Sequence, residues 1–244
     1  MFGKSTLVPL GSSSTVVASL NHANSVLAAY SNPPDYWEWQ VWSSVLKPGD
    51  FFVDVGANVG LYSLLAAEAG CRVLAFEPDD DNRSELMRNI AINQREDVVT
   101  VVPKAVSDQN DSVAFLAGRD ALARITSVRS EDVVHIPCTT LDAEIGNQQV
   151  AGLKIDVEGA EASVLQGALG LLKSQAIDLI QIECNQMSQM NFGLSRDDTS
   201  AILTSCGYKP LSFTPEGGDW GPEGQVNHFW VPSASPFNSP RNSY

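Results

Sequence analysis

From about residue 50 onward, short runs of β-branched or aromatic residues alternate with segments of helix length. The first block reads FFVDV, LYSLLAAEA, RVLAF, SELMRNIAIN and VVTVV. Such alternation is typical of parallel strands that are joined by crossover helices. The chain is therefore predicted to fold around a mostly parallel sheet with a layer of helices on each face.

A second block continues the pattern with GLKIDV, ASVLQGALGLLK, IDLIQIE, SRDDTSAILTSC, YKPLSF and VNHFWV. The last two strands are joined by a glycine-rich connection without a helix, so we expect this C-terminal pair to be an antiparallel hairpin. Between the blocks, SVAFL and VVHIPCTT predict two extra short strands, and RITSVRSED predicts a loop. The fold class is α/β, with about seven strands in the main sheet.

The length of 244 residues fits one α/β domain. Residues 1–34 are interpreted as an N-terminal extension, 35–232 as the domain and 233–244, rich in Pro, Ser and Asn, as a mobile tail. A helix is predicted to start at Asp35 as N-cap, and a later one to start at Ser195. Because Pro, Gly and Ser/Thr interrupt the apolar residues of the N-terminus, neither a signal peptide nor a membrane span is predicted.

The charge balance limits the partners. With 15 Lys+Arg against 29 Asp+Glu the net charge is −14, which disfavours nucleic acid and anionic membrane surfaces. The four cysteines form no CxxC pair, so neither a zinc site nor a disulfide framework is indicated. We expect reduced thiols and a cytoplasmic location.

The segment FFVDVGANVGLYS places Asp54 at the end of a buried strand, followed by a glycine turn and a helix. Gly56 and Gly60 would let a ligand approach the backbone at the helix N-terminus. Glu77 ends the next strand, where an acid accepts hydrogen bonds from ribose hydroxyls. The spacing GxxxG, with Asn58 at the position of the second dinucleotide glycine, disfavours NAD and favours another adenosine-bearing ligand.

Here the chain resembles the FkbM-type methyltransferases, which depend on S-adenosylmethionine. The resemblance rests on VDVGANVGLYS, FEPDDDNRSELMRNIAIN, KAVSD, TTLD, LKIDVEGAEASVLQGA and IQIE, in that order, from about Lys47 to Glu183. It implies a three-layer, Rossmann-like class I methyltransferase fold and methyl transfer, most often to a hydroxyl of a sugar, polyketide or other small molecule. It also implies a set of cofactor-binding residues: Asp54, Gly56, Ala57, Asn58, Gly60, Glu77, Ala105, Val106, Ser107 and Asp156.

Charged residues interrupt the strand LKIDVEGAE. Residues two apart share one face of a strand, so Lys154, Asp156 and, if the extended backbone continues, Glu158 lie on one side. An unpaired buried charge is costly, and Lys154 is therefore expected to be a buried counter-charge for a carboxylate. Glu161 is interpreted as a charge that favours the start of a helix.

Methyl transfer to a hydroxyl needs a group that removes the proton. The candidates at the strand ends are Asp156, Glu158, Glu183 and His228. Glu183 and Asn185 with Asp156 also form an oxygen set that could hold Mg²⁺, but no metal site is favoured. Helix 36–46 and the loop 214–225 are candidates for a lid.

Three other readings remain open. The sequence Asn32-Pro33-Pro34 is similar to a motif of amino-methylating enzymes, although a proline turn explains it better because Asp35 follows. A nicotinamide-dependent oxidoreductase is disfavoured by the glycine spacing. A binding module without activity would keep the fold and the cofactor motifs, and the sequence does not separate it from an enzyme that acts on a small-molecule or glycan acceptor.

Overall fold

The structure, a computed structural model, describes residues 5–19, 33, 35–116, 124–125, 133–183, 196–211 and 227–235. Several predictions fall outside these ranges: the loop 214–225, the greater part of the tail, the N-cap at Ser195 and the oxygen ligand at Asn185.

The central sheet has seven strands. Their bounds are β3 Phe51–Val55, β4 Arg72–Phe76, β5 Val99–Val102, β10 Gly152–Ile155, β11 Ile180–Glu183, β12 Tyr208–Pro210 and β13 Asn227–Pro232, and their spatial order is β5-β4-β3-β10-β11-β13-β12. Strands β3, β4, β5, β10 and β11 are parallel neighbours, whereas β13 is antiparallel to both β11 and β12. The predicted seven strands and the C-terminal antiparallel pair are confirmed.

A second sheet lies between the two blocks of the sequence. It consists of β6 Ala105–Val106, β7 Asp111–Leu116, β8 Arg124–Ile125 and β9 Val133–Thr139, in the order β6-β9-β7-β8. The two predicted extra strands correspond to β7 and β9. The loop predicted from residue 124 is wrong at its first two residues, because Arg124–Ile125 pair with the end of β7.

The helices cover both faces of the central sheet. They are α1 Tyr36–Val45, α2 Leu61–Glu68, α3 Asp80–Ile92, α4 Leu141–Ile145, α5 Glu161–Gln166, α6 Leu169–Lys173 and α7 Arg196–Ser205. One hydrophobic cluster joins the sheet to α1, α2 and α3, and a second joins its other face to α4, α5, α6 and α7. The three-layer arrangement follows from these two cores.

Two helix predictions need correction. The segment ASVLQGALGLLK is two short helices and not one, with a break next to Gly167; a Cβ there would lie 2.0 Å from the carbonyl oxygen of Ser107. Asp35 does occupy the N-cap position of α1, but its side chain makes no cap hydrogen bond. Its backbone is left-handed, and its carboxylate instead accepts a hydrogen bond from the Tyr62 hydroxyl at 3.1 Å.

The N-terminal extension contains a hairpin that the sequence analysis did not anticipate. Strands β1 Ser5–Leu10 and β2 Ser14–Ser19 are antiparallel, and Leu10 and Val16 are fully buried in the same cluster as α1, α2 and α3. Side chains anchor the hairpin: Glu68 accepts the backbone N–H of Ser14 at 2.9 Å, and Asn89 accepts that of Val17 at 2.9 Å. The hairpin is thus packed onto the domain.

Cys71, Cys138 and Cys206 are free and buried, and Cys184 lies outside the described residues. No helix in the described part of the chain is both long enough and apolar enough to span a bilayer.

Candidate active site

The β3–α2 turn lies at the carboxyl ends of the parallel strands, where open α/β sheets bind their ligands. Gly56 and Gly60 have φ of +80° and +93°, a region that glycine enters without strain. A Cβ at Gly56 would lie 1.8 Å from the Asp156 carbonyl oxygen, and one at Gly60 would lie 2.4 Å from Leu86 Cδ1. The turn and its packing against the protein therefore require both glycines, and the approach of a ligand to them stays a prediction.

Glu77 lies directly after β4 and is 4% exposed. Its two carboxyl oxygens accept the backbone N–H of Asn58 at 2.7 Å and that of Asp79 at 2.9 Å. Burial raises the pKa of Glu77 to about 7, against the lowering effect of these hydrogen bonds. The carboxylate fixes the glycine turn, and the remaining lone pairs of its oxygens suit hydroxyl donors such as those of a ribose.

Asp54, at the penultimate position of β3, is 1% exposed. Its Oδ2 accepts a hydrogen bond from the Ser63 hydroxyl at 2.7 Å, whereas Oδ1 has no hydrogen-bond partner among the described residues. Burial raises the pKa of Asp54, and Lys154 counteracts the rise. A buried acceptor oxygen without a donor fits a ligand that brings an N–H group, and the amino group of S-adenosylmethionine is such a donor.

Ala105, Val106 and Ser107 are each 3% exposed or less. The Ser107 backbone N–H donates to the Thr139 carbonyl oxygen at 2.9 Å, and its hydroxyl donates to Asp108 at 3.0 Å. Their side chains are thus buried or engaged within the protein, and their contact with an adenine ring stays a prediction. Ala57, in the glycine turn, is 6% exposed, and its backbone N–H donates to Phe76.

Lys154 lies opposite both Asp54 and Gln181 in the sheet register. Its ammonium donates to Asp156 Oδ2 at 3.0 Å and lies 4.8 Å from the centre of the Tyr62 ring. Although burial on its own would lower the pKa of Lys154, the carboxylates of Asp156 and Asp54 raise it. The lysine is the buried counter-charge that the strand pattern predicted, and it stays protonated beside Asp156.

Glu183 ends β11 on the same face as Gln181. Burial and the charge of Asp156 raise the pKa of Glu183 to about 8, with Lys154 opposing them and Glu158 adding to them. Since such electrostatic effects act over short distances, Asp156, Glu158 and Glu183 form one group of carboxylates around a single ammonium.

Glu161 is the first residue of α5, as the helix-start interpretation predicted. It is nevertheless buried, at 3% exposure, and its carboxylate accepts the Gly159 backbone N–H at 2.9 Å. The side chain therefore orders the turn that carries Glu158.

His228 is not brought to this group of carboxylates. In the antiparallel register of β11 and β13 it pairs with Ile182, whereas Glu183 pairs with Asn227. Neighbouring residues of a strand point to opposite faces, and Trp230, two residues after His228, belongs to the cluster around α4–α7. His228 therefore lies on the face of the sheet opposite to Lys154 and Glu183.

The sequence indicated helix 36–46 only as a lid candidate, and the hydrogen bonds between its N-cap and the sheet were not predicted. Tyr62 donates to Asp35, and Gln181 donates to both Tyr62, at 3.3 Å, and Asn227, at 2.8 Å. The available signal was the acidic residue directly before the aromatic helix, which had been interpreted as a cap. Asp35, Asn58 and Glu158 are also non-glycine residues with left-handed backbones, at φ of 52°, 51° and 54°. Gln94 and Gln175, in the turns after α3 and α6, have the same backbone at φ of 54°, so this conformation alone does not mark the site.

Among the described residues, no group of three or more His, Cys, Asp or Glu side chains is placed to hold a metal ion.

The strand order, with one antiparallel strand inserted between β11 and β12, is that of the class I Rossmann-like methyltransferases. The model of the methyltransferase FkbM domain matches residues 54–210. The chain belongs to this family, as its motifs predicted, and the family implies S-adenosylmethionine as methyl donor.

Two curated relatives are similar over parts of the chain. A tRNA (guanine(37)-N(1))-methyltransferase of Anopheles darlingi is 30% identical over 107 residues, which are 44% of this chain and 21% of that protein. The ribosomal protein L11 methyltransferase of Bacillus cytotoxicus is 29% identical over 92 residues, 37% of this chain and 30% of that protein. The chain thus spans less than a third of the length of either relative.

Among solved structures, the methyltransferase FkbM of Methylobacillus flagellatus KT has a TM-score of 0.51 and 19% identity, over 75% of this chain and 43% of that one. An rRNA methylase from Streptococcus thermophilus has a TM-score of 0.49 and 10% identity, over 82% and 95% of the two chains. At these identities the likeness to the first structure shows the fold alone.

Proposed function

We propose that this chain transfers the methyl group of S-adenosylmethionine to a hydroxyl oxygen of a small-molecule or glycan acceptor. The observation that carries the proposal is Glu183, a carboxylate at the end of β11 whose pKa burial and Asp156 raise to about 8. A base whose pKa is near the working pH is partly ionised and still has a strong tendency to accept a proton. Glu183 is therefore our candidate for the general base.

The cofactor supplies an electrophilic methyl group on a positively charged sulfur. Glu183 accepts the proton of the acceptor hydroxyl while the oxygen bonds to the methyl carbon; the carbon–sulfur bond breaks and its electron pair stays on sulfur. Asp156, paired with Lys154 at 3.0 Å, is proposed to border the cofactor side of the site. Glu158, on the turn that follows β10, is proposed to face the acceptor.

The cofactor itself is assigned to the edge of the sheet around the glycine turn. Glu77 is proposed to accept the ribose hydroxyls, Asp54 Oδ1 to accept an N–H of the methionine part, and the turn from Gly56 to Gly60 to lie along that part. The backbone around Ala105–Ser107 is proposed to flank the adenine. The buried, partner-free Oδ1 of Asp54 supports this assignment.

One finding favours a second candidate, methylation of RNA: the mosquito relative is by name a tRNA methyltransferase. The charge of this chain argues against it, because −14 opposes the approach of a phosphate backbone. The carboxylates of Asp156 and Glu158 repel phosphates locally as well. We therefore favour an uncharged or polyhydroxyl acceptor.

Calorimetry of the whole chain with S-adenosylmethionine, S-adenosylhomocysteine and NADH tests the cofactor. We expect the first two to bind and NADH not to bind; binding of NADH alone would overturn the proposal. Transfer of a labelled methyl group is then measured with a panel of sugars and hydroxylated small molecules and, in parallel, with bulk tRNA and rRNA. Label in RNA only would replace the O-methylation proposal with the second candidate.

The base is tested with the acceptor that this panel finds. Glu183→Gln and Asp156→Asn should both keep cofactor binding, and Glu183→Gln should lower kcat by about 10²-fold or more. Full activity of Glu183→Gln would remove Glu183 from the role of base. His228→Ala, on the opposite face of the sheet, is the matched control and should keep kcat.

A further inference from the structure

We propose that Gln181 is the positioning residue of the acceptor side, which holds the N-terminal part of α1 and its two acids, Asp35 and Glu38, beside Glu183. This inference rests on the proposed function, because it takes Glu183 as the base of methyl transfer. The contacts of Gln181 that support it lie within the protein and do not involve the cofactor. It assigns a role in the reaction to a residue that touches neither reacting group.

Gln181 is fully buried and lies in the middle of the sheet, in register with Lys154 on the neighbouring strand. Its Oε1 accepts the indole N–H of Trp42 at 2.5 Å. Because an indole nitrogen can only donate, this contact fixes the orientation of the amide, and Nε2 must point to the other side. The buried Gln181 amide therefore has one defined orientation, with its acceptor oxygen toward Trp42 and its donor nitrogen on the other side.

The Nε2 of Gln181 begins two chains of hydrogen bonds that both end on α1. In the first, it donates to the Tyr62 hydroxyl, which in turn donates to Asp35 Oδ2. In the second, it donates to Asn227 Oδ1, and the Asn227 side chain is hydrogen-bonded to the carboxyl of Glu38. In each series of hydrogen bonds the donors point away from Gln181. The carboxyl groups of Asp35 and Glu38 are therefore the final acceptors.

Together with Trp42, these chains hold α1 at three points along its first two turns. Trp42 also packs against Phe52 and Phe229 with ring centroids 5.0 and 5.7 Å apart, which seats the helix on the sheet. Asp35 adds to the electrostatic environment that raises the pKa of Glu183. The position of α1 thus bears directly on the proposed base.

Tyr62 connects the same amide to the buried lysine. Its ring lies 4.8 Å from the Lys154 ammonium, and its hydroxyl is held between Gln181 and Asp35. A cation above an aromatic ring is stabilised by it, so a fixed ring keeps the ammonium near Asp156. Gln181 consequently orders two groups that act electrostatically on Glu183: Asp35, through the Tyr62 hydroxyl, and Lys154, through the Tyr62 ring.

The first variant is Gln181→Glu, which keeps the shape and the acceptor for Trp42 and, once its carboxyl is ionised, replaces the donor with an acceptor. Tyr62 would then donate to residue 181 and leave Asp35, and Asn227 would turn its amide away from Glu38. The titratable or charged groups that face this position are Asp35, Glu38, Asp54, Tyr62, Lys154, Asp156, Glu158 and Glu183. All except Tyr62 and Lys154 are carboxyl groups, so one more carboxylate makes each of them harder to ionise.

The experiment is a carbon-13 NMR titration of the glutamate carboxyl groups, with the nitrogen-15 signal of the Trp42 indole as a second probe. In Gln181→Glu we expect the midpoints of Glu38 and Glu183 to move to higher pH, while the Trp42 signal stays in its hydrogen-bonded position. In Gln181→Met, which has neither donor nor acceptor, the Trp42 signal should shift and the Glu183 midpoint should fall, because Asp35 is no longer held in place.

Tyr208→Phe is the matched control, because it removes another buried hydrogen bond, from Tyr208 to the Ile177 carbonyl oxygen at 2.9 Å, on the other side of the sheet. It should lower stability and leave both midpoints unchanged. A carboxylate at position 181 raises the Glu183 midpoint by its charge alone, so Gln181→Met decides. The inference is overturned if Gln181→Met shifts the Glu183 midpoint no more than Tyr208→Phe does. Calorimetry with S-adenosylhomocysteine separates the two proposals. If the unaltered protein does not bind S-adenosylhomocysteine, the proposed function is refuted, whereas the titration result for Gln181 still stands.

Discussion

Lys154 and Asp156 form a partly buried ion pair, Nζ to Oδ2 at 3.0 Å, at the point where β10 leaves the sheet. The lysine side chain is 6% exposed and the aspartate side chain 27%, so the pair bridges the core and the open edge of the site. The ammonium also faces Asp54 across the register of β10 and β3. One cation therefore balances the acids of the cofactor side and of the acceptor side.

Replacing Lys154 with Met should destabilise the protein by about 3 kcal/mol, because Asp54 and Asp156 would lose their counter-charge while Asp54 stays buried. Urea denaturation at pH 7 measures the change. The double variant Lys154→Met with Asp54→Asn should recover part of the loss, since it removes the more deeply buried of the two uncompensated carboxylates. A single variant as stable as the unaltered protein would mean that Asp54 is not ionised in the fold.

The raised pKa of Glu183 predicts a specific dependence of stability on pH. The folded state binds the Glu183 proton up to about pH 8, whereas the unfolded chain releases it near pH 4.5. Since the folded state holds more protons between these values, the free energy of unfolding should fall as the pH rises from 4.5 to 8. Glu183→Gln should remove this part of the slope and be the more stable protein at pH 8.5, as judged by urea denaturation at both ends of the window. Equal slopes would show that Glu183 titrates normally.

The features of this site that depend on residues close together in the sequence could be predicted, and those that depend on residues far apart in the sequence could not. The alternation of strands and helices, the acids at the strand ends and the counter-charge role of Lys154 follow from local patterns, and the structure agrees with them. The hydrogen bonds of Gln181 connect residues 139 and 119 positions apart, and no periodicity of a single segment indicates them. The N-terminal hairpin is likewise anchored by Glu68 and Asn89, which are distant in sequence.

The reason for a glycine is another property that only the packed structure reveals. Gly56 and Gly49 both have left-handed backbones, at φ of +80° and +92°. A residue with a side chain would be strained at either position. A Cβ would collide with the Asp156 carbonyl oxygen at Gly56, but would have nothing within 4 Å at Gly49. Turn sequence alone does not distinguish these cases.

Gly56→Ala should therefore destabilise the protein well beyond Gly49→Ala, for which we expect about 1 kcal/mol from the backbone alone. The additional cost at Gly56 is a steric clash with backbone, which a side-chain rotation cannot relieve. The difference in the midpoint of thermal unfolding between the two variants measures that clash. Similar midpoints would mean that the β3–α2 turn and the strand end at Asp156 separate easily.

Glu77 should make cofactor binding dependent on pH. Its pKa of about 7 means that the carboxylate, which accepts hydrogen bonds from hydroxyl donors best when ionised, is largely protonated at pH 6 and largely ionised at pH 8. The dissociation constant of S-adenosylhomocysteine, measured by calorimetry, is expected to decrease over this range. Glu77→Gln should weaken binding about 10-fold and flatten the dependence, because an amide does not titrate. A dependence that persists in Glu77→Gln would assign it to another group.

Glu68 anchors the turn of the N-terminal hairpin. Its carboxylate accepts the backbone N–H groups of Ser12 at 2.7 Å, Ser13 at 3.1 Å and Ser14 at 2.9 Å, and also the Ser12 hydroxyl. Although burial alone would raise the pKa of Glu68, these hydrogen bonds lower it to about 2. A depressed pKa means that the folded state favours the ionised form, so its contribution to stability is present above pH 4.5 and is lost as the pH falls toward 2.

Glu68→Gln should cost about 1 kcal/mol at pH 7, since the residue is partly exposed and solvent weakens its charge-assisted hydrogen bonds. The loss should be local: amide hydrogen exchange of Leu10 and Val16 should speed up while that of β3 and β10 stays slow. Glu144→Gln is the matched control, because it removes a partly exposed carboxylate of α4 that pairs with Lys104 at 2.8 Å and not with the hairpin. If exchange in the hairpin and in the central strands accelerates equally, the hairpin unfolds only together with the whole domain, and the anchor is then a global rather than a local contribution to stability.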